Sequence, residues 1–100
     1  MAKRDQKQEL LDAVRHPIRR SLLRRFLEST EMLSPKELSD LENESLSVIS
    51  YHVRELDKLG AIEIAGDQQV RGALQHFYLP TARVKRSPLI REALGLGTGG

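Results

Sequence analysis

The hydrophobic period changes midway between Leu46 and Ile64, and that change constrains the fold more than any other feature. Ile49, Val53, Leu56 and Leu59 recur every three or four residues, the spacing of one face of an α-helix. Ser45 is suited to cap that helix, and Gly60 follows it, the residue that best tolerates the left-handed turn at a helix end. Ala61-Ile62-Glu63-Ile64 then reads as a strand. Leu74 to Leu79 is strand-like again and Pro80 ends it. The sequence thus predicts a helix over 46–59, then a β-hairpin over 61–79 with a long, mobile tip formed by the polar run 65–72.

The same punctuation organises the N-terminal half. Leu10, Leu11 and Val14 predict a short amphipathic helix over about 5–15. Pro17 disfavours helical geometry in His16 but suits a first helical turn, so a second helix is expected over 17–28. Its apolar stripe is Ile18, Leu22 and Phe26, and Arg19, Arg20, Arg24 and Arg25 take the remaining surface. That basic surface fits either a solvated face or a phosphate-facing one. Ser34-Pro35-Lys36-Glu37 has the form of a capping box with proline at the first helical position. It predicts a helix over 35–42, with Asn43 in a left-handed turn. A last helix over 88–94 is weakly signalled. Residues 1–94 are read as one domain and 95–100 as a disordered tail.

Composition sets further limits. The 100 residues are 39% hydrophobic and 30% charged, with only four aromatic residues. A core of Leu, Ile, Val and Ala follows, as expected of a mostly α domain with a β-hairpin (α+β). The net charge of +2 is a mild bias towards polyanions. No cysteine is present, which excludes disulfides, thiolate metal sites and cysteine nucleophiles. No apolar run approaches the roughly 20 residues of a membrane span, and no signal-peptide pattern is present. A cytoplasmic protein without membrane association is expected. His16, His52 and His76 lie 36 and 24 residues apart, which fits no short metal-ligand pattern. Neither a nucleophile elbow nor a phosphate loop is found, so no enzyme, cofactor or metal is expected.

Two helices, a short turn, a longer second helix and a hairpin follow the order of a winged helix-turn-helix. Beyond the order, the run Leu46-Ser47-Val48-Ile49-Ser50-Tyr51-His52-Val53-Arg54-Glu55-Leu56, continuing to Gly60-Ala61-Ile62, resembles the recognition helix and following strand of ArsR-type transcriptional regulators. His16-Pro17-Ile18-Arg19-Arg20 resembles the Pro-x-Arg opening of a helix in that family. Arg71-Gly72-Ala73-Leu74-Gln75-His76-Phe77-Tyr78 looks like the returning wing strand of an actinobacterial subgroup. The resemblance covers about residues 10 to 80. Metal-sensing members carry a cysteine motif on the helix before the turn, where this chain has Lys36-Glu37-Leu38-Ser39-Asp40-Leu41. The resemblance therefore implies an apo-type or differently controlled regulator, its effector unknown.

The family's function, carried onto these residues, is sequence-specific binding of double-stranded DNA. The helix 46–59 would lie in the major groove, where base edges present a readable pattern. Ser47, Val48, Ser50, Tyr51 and Arg54 are the candidate base contacts. Arg71 and Gln69, on the wing segment 65–73, would meet the minor groove or backbone. His52, Lys58, Arg19 and Arg20 are candidate backbone contacts, and His52 fits a place at the core edge equally well. The acidic helix with Glu37, Asp40, Glu42 and Glu44 must face away from the DNA backbone, or affinity will be modest and salt-sensitive. A homodimer on inverted half-sites is expected. Leu10, Leu11 and Val14 would meet Leu89, Ile90 and Leu94 of a partner chain, or the same residues would close the chain's own core. A protein–protein interaction module is the alternative reading.

Overall fold

A computed structural model describes residues 5–96. The chain forms α1 (Gln6–Ala13), α2 (Pro17–Glu28), α3 (Pro35–Glu42), α4 (Leu46–Lys58), β1 (Ile62–Val70), β2 (Ala73–Pro80), α5 (Ala82–Lys85) and α6 (Pro88–Ala93). This is a winged helix-turn-helix of the α+β class. No helix among the described residues is long and apolar enough to cross a membrane.

Every helix start except that of α5 carries a side-chain cap. Asp5, Ser34, Ser45 and Ser87 accept from the backbone N–H three residues on, satisfying donors that a helix start leaves unpaired. Ser34 and Glu37 complete the expected capping box, the Ser34 N–H donating to Glu37 Oε1 at 3.0 Å. His16 caps α2 through Nδ1, with Pro17 as first helical residue. Asn43 ends α3 at φ 53°, and the three residues Asn43, Glu44 and Ser45 form the turn into α4.

Leu22, Leu23 and Phe26 of α2, Leu38 of α3, and Ile49, Val53 and Leu56 of α4 are each at most 1% exposed and share one core. Truncation of such a side chain costs about 2–5 kcal/mol, so this cluster fixes how α4 sits on α2 and α3. Ile62 brings β1 into the same core, and Val84 and Ile90 bring in α5 and α6.

The hairpin departs from its expected form. β1 and β2 pair antiparallel as far as Val70 and Ala73, leaving only Arg71 and Gly72 at the tip. Both have positive φ, 52° and 81°, the geometry of a two-residue turn whose twist matches the strands. The polar run 65–72 is therefore mostly strand, because a two-residue turn needs no apolar signal and both faces of the outer hairpin meet solvent. A bulge between Ile64 and Gly66 shifts the register. Leu33 makes a bridge to Tyr78, giving β2 a second neighbour that the sequence pattern did not indicate.

α5 also went unforeseen, since four residues carry too little periodicity to read. α6 forms as expected. Gly95 and Leu96, placed in the expected tail, instead cap it: Leu96 N–H donates to Arg91 O at 2.9 Å, and Leu96 packs on the core. The rest of that tail, residues 97–100, lies outside the described residues.

Candidate nucleic-acid interface

The core stripe of α4 dictates its opposite face. With Ile49, Val53 and Leu56 buried, Ser47, Tyr51, Arg54 and Lys58 are exposed, and Val48 and Ser50 lie beside them, Ser50 half-buried. These residues are spaced at three and four, so they form one stripe along the helix. Ser45 takes the capping role at Val48 N–H, which leaves the Ser47 hydroxyl only a 3.4 Å contact with Ser45 Oγ. Arg54 makes no ion pair or hydrogen bond with another side chain among the described residues. Lys58, at the far end, pairs with Glu55 at 3.2 Å. The structure thus brings the five candidate base contacts onto one accessible surface.

The wing carries Arg71 at its tip and Gln69 on β1, both exposed. Arginine at positive φ is uncommon, since such turns favour glycine and asparagine. Cross-strand partners Asp67 and His76 pair at 2.6 Å, so the wing's carboxylate has a neighbour of its own.

The four arginines of α2 do something that neither expectation covered. Arg20 donates to the carbonyls of Val14 and Arg15 at 2.8 and 3.2 Å, and Arg19 to that of Asp12 at 3.2 Å. Arg24 donates twice to Leu94 O, and Arg25 to Leu41 O. These acceptors lie at the C-terminal ends of α1, α6 and α3, where carbonyls lack helical partners and the dipole is negative. α2 is a basic hub that caps three helices. Arg19 and Arg20, expected on the DNA backbone, are engaged inside the fold.

Of its two expected places, His52 takes the one at the core edge. It is 5% exposed, receives Arg19 Nε at Nδ1 over 3.2 Å, and lies against the His16 ring at 4.5 Å between centroids. Burial, then the proximity of His16 and of Arg19, holds its imidazole below the usual value of 6.5, against an opposing pull from Glu55. A phosphate contact from this side chain is ruled out by its burial.

Three of the four acidic groups expected to face away from DNA have partners within the fold. Glu37 is held by the capping box, Asp40 pairs with Lys36 at 3.0 Å, and Glu42 accepts from Arg25 and from Ser21 Oγ. Burial works against the Glu42 carboxylate, but the hydrogen bonds from Arg25 and Ser21 outweigh it and hold it below the usual 4.5.

Of the residues expected at a dimer surface, Val14, Ile90 and Leu94 are at most 8% exposed within the chain's own core. α1 and α6 of the same chain pack together, which removes these three from any partner's reach. Leu10 and Leu89 are half-buried and Leu11 is 38% exposed.

Sequence reasoning missed Leu46 and Leu74, which both line the gap between α4 and the wing. The signal for Leu74 was present: it lies two and four residues from His76 and Tyr78, and so shares their face of β2.

Comparison with known proteins agrees with this architecture. HlyU from Vibrio cholerae N16961 superposes with a TM-score of 0.63 at 23% identity, over 91% of this chain and 86% of that one. The reduced form of the same protein gives 0.61 at 23% identity, over 91% and 83%. No curated protein matches in sequence. A family profile described as a helix-turn-helix domain matches residues 15–65, from the start of α2 into β1, and the chain belongs to that helix-turn-helix family.

Proposed function

We propose that this chain is a sequence-specific, duplex-DNA-binding transcriptional regulator of the ArsR type, acting as a homodimer in the cytoplasm. The observation that carries the reading is the stripe Ser47, Ser50, Tyr51 and Arg54 on α4, with an arginine held by no ion pair among the described residues. A helix of this width enters the major groove, and hydroxyls and guanidinium there meet base edges. Arg71 at the wing tip would enter the minor groove, where negative potential concentrates. The fold shared with HlyU supports the family assignment. Leu10, Leu11 and Leu89 remain to build the contact between protomers.

Selection of bound duplexes from a random library at near-physiological salt tests this. Enrichment of an inverted repeat, with half-site centres about one helical turn or a multiple apart, is the expected result. Binding at low salt with no enriched sequence would reduce the protein to a non-specific binder. No binding at either salt would favour the protein-interaction reading.

A further inference from the structure

A cleft of about 400 Å³ opens between α4 and the wing. Strand alternation puts Leu74, His76, Tyr78 and Pro80 on one face of β2. Tyr78 and Pro80 are buried there, yet Leu74 is 55% exposed. Leu46, at the start of α4, is 48% exposed and lines the same cleft. The apolar face of the hairpin thus continues beyond what this chain covers. A DNA backbone does not account for it, since sugar and phosphate gain little from leucine.

The polar groups of the cleft point to a class of occupant. Arg54 lines it, as does Lys36, which also pairs with Asp40 at 3.0 Å, and no Asp or Glu is among the lining residues. The Tyr78 side chain makes no hydrogen bond with a described residue. A cleft of this size, mostly apolar with a few convergent polar groups, has the character of a small-molecule site.

We propose that this cleft binds a small amphiphilic anion, its apolar body against Leu46, Leu74 and Tyr78 and its charged head at Arg54 and Lys36. Ser50 and Arg54 line the cleft and also belong to the DNA-facing stripe. Ligand and DNA therefore exclude each other, a consequence that rests on the DNA-binding reading.

The test is fluorescence titration of the full chain with 8-anilinonaphthalene-1-sulfonate, and with N-phenyl-1-naphthylamine as its uncharged analogue. Saturable binding of one sulfonate per chain is expected, with the uncharged analogue weaker. Leu74→Glu and Arg54→Ala should each weaken the sulfonate by about tenfold or more, while Leu41→Glu, a change at an exposed leucine of α3 outside the cleft, leaves it unchanged. Leu74 is exposed on the wing, so Leu74→Glu should keep the wild-type circular dichroism and melting temperature.

Absence of saturable binding, or binding indifferent to Leu74→Glu, overturns the site. So does a Leu74→Glu chain that sediments as a smaller species than wild type, which would make a second copy the occupant. Equal binding of the uncharged analogue overturns the anionic assignment. A duplex recovered by selection should displace the probe. A duplex that binds without displacing it overturns mutual exclusion and leaves the site standing. If no duplex binds, the DNA reading fails and the probe titration still judges the cleft.

Discussion

The Nε of Arg19 donates to Nδ1 of His52 over 3.2 Å, joining α2 to the buried side of α4. The contact needs an imidazole that is unprotonated at Nδ1. Protonation would remove the acceptor and set a second cation beside the guanidinium. The pKa of His52 lies below 6.5 in the folded chain, so between that lower value and 6.5 the unfolded chain binds more protons on this residue. Its contribution is complete above pH 6.5 and is lost as pH falls through the window below. Urea midpoints at pH 7.5 and 5.5 should fall with acidification, and His52→Gln should flatten the dependence. An unchanged slope in that variant would assign the acid sensitivity elsewhere.

Glu42 supplies a second and more acid step. Its carboxylate is held below 4.5 by Arg25 and Ser21 despite burial, so its contribution is present above pH 4.5 and lost below it. Glu42→Gln should destabilise the fold by about 1–3 kcal/mol at pH 7, the cost of leaving a partly buried guanidinium without its charged partner. Denaturant unfolding at pH 7 and pH 4 checks this, the gap between variant and wild type narrowing at the lower pH.

Two arginines of the same chemistry should behave oppositely. Arg54→Ala should weaken specific DNA binding by about 1–3 kcal/mol and leave the melting temperature unchanged. Arg24→Ala removes two hydrogen bonds to Leu94 O; it should lower the melting temperature with little effect on DNA affinity per folded molecule. Calorimetry and fluorescence anisotropy on both variants decide. The reverse pattern would place the DNA surface on α2.

At the wing tip, Arg71→Asn keeps a residue tolerant of positive φ and removes the charge. Stability should hold, while DNA affinity falls and the slope of log affinity against log salt becomes shallower by about one. Gly72 has φ +81°, and a methyl group added to its Cα would meet open space. Gly72→Ala should therefore cost about 1–2 kcal/mol from backbone geometry alone, read as a lower melting temperature.

Leu11→Glu combined with Leu89→Glu should give a monomer in sedimentation velocity, without unfolding. Both positions keep exposure in the isolated chain, so a charge there is tolerated by the protomer and opposed only by a partner.

Much of the fold was written locally. Ser34, Pro35 and Glu37, the His16-Pro17 step, Asn43 and Gly60 set helix boundaries through contacts within a few residues, and local contacts are legible as spacing. The exposed face of α4 was legible for the same reason: once Ile49, Val53 and Leu56 are inside, helical geometry leaves Ser47, Tyr51 and Arg54 outside. The partners of long polar side chains were not legible. Arg19, Arg20, Arg24 and Arg25 look like a basic surface in sequence. Most of their acceptors are carbonyls at the ends of α1, α3 and α6, up to 70 residues away, and backbone carbonyls carry no residue-type signal. The same holds for His52, whose burial follows from α2 lying across α4, and for Val14, Ile90 and Leu94, whose partners within the chain depend on α1 meeting α6. Periodicity determines which face of an element is apolar, whereas only tertiary packing determines what covers that face, because the covering element lies far off in the chain.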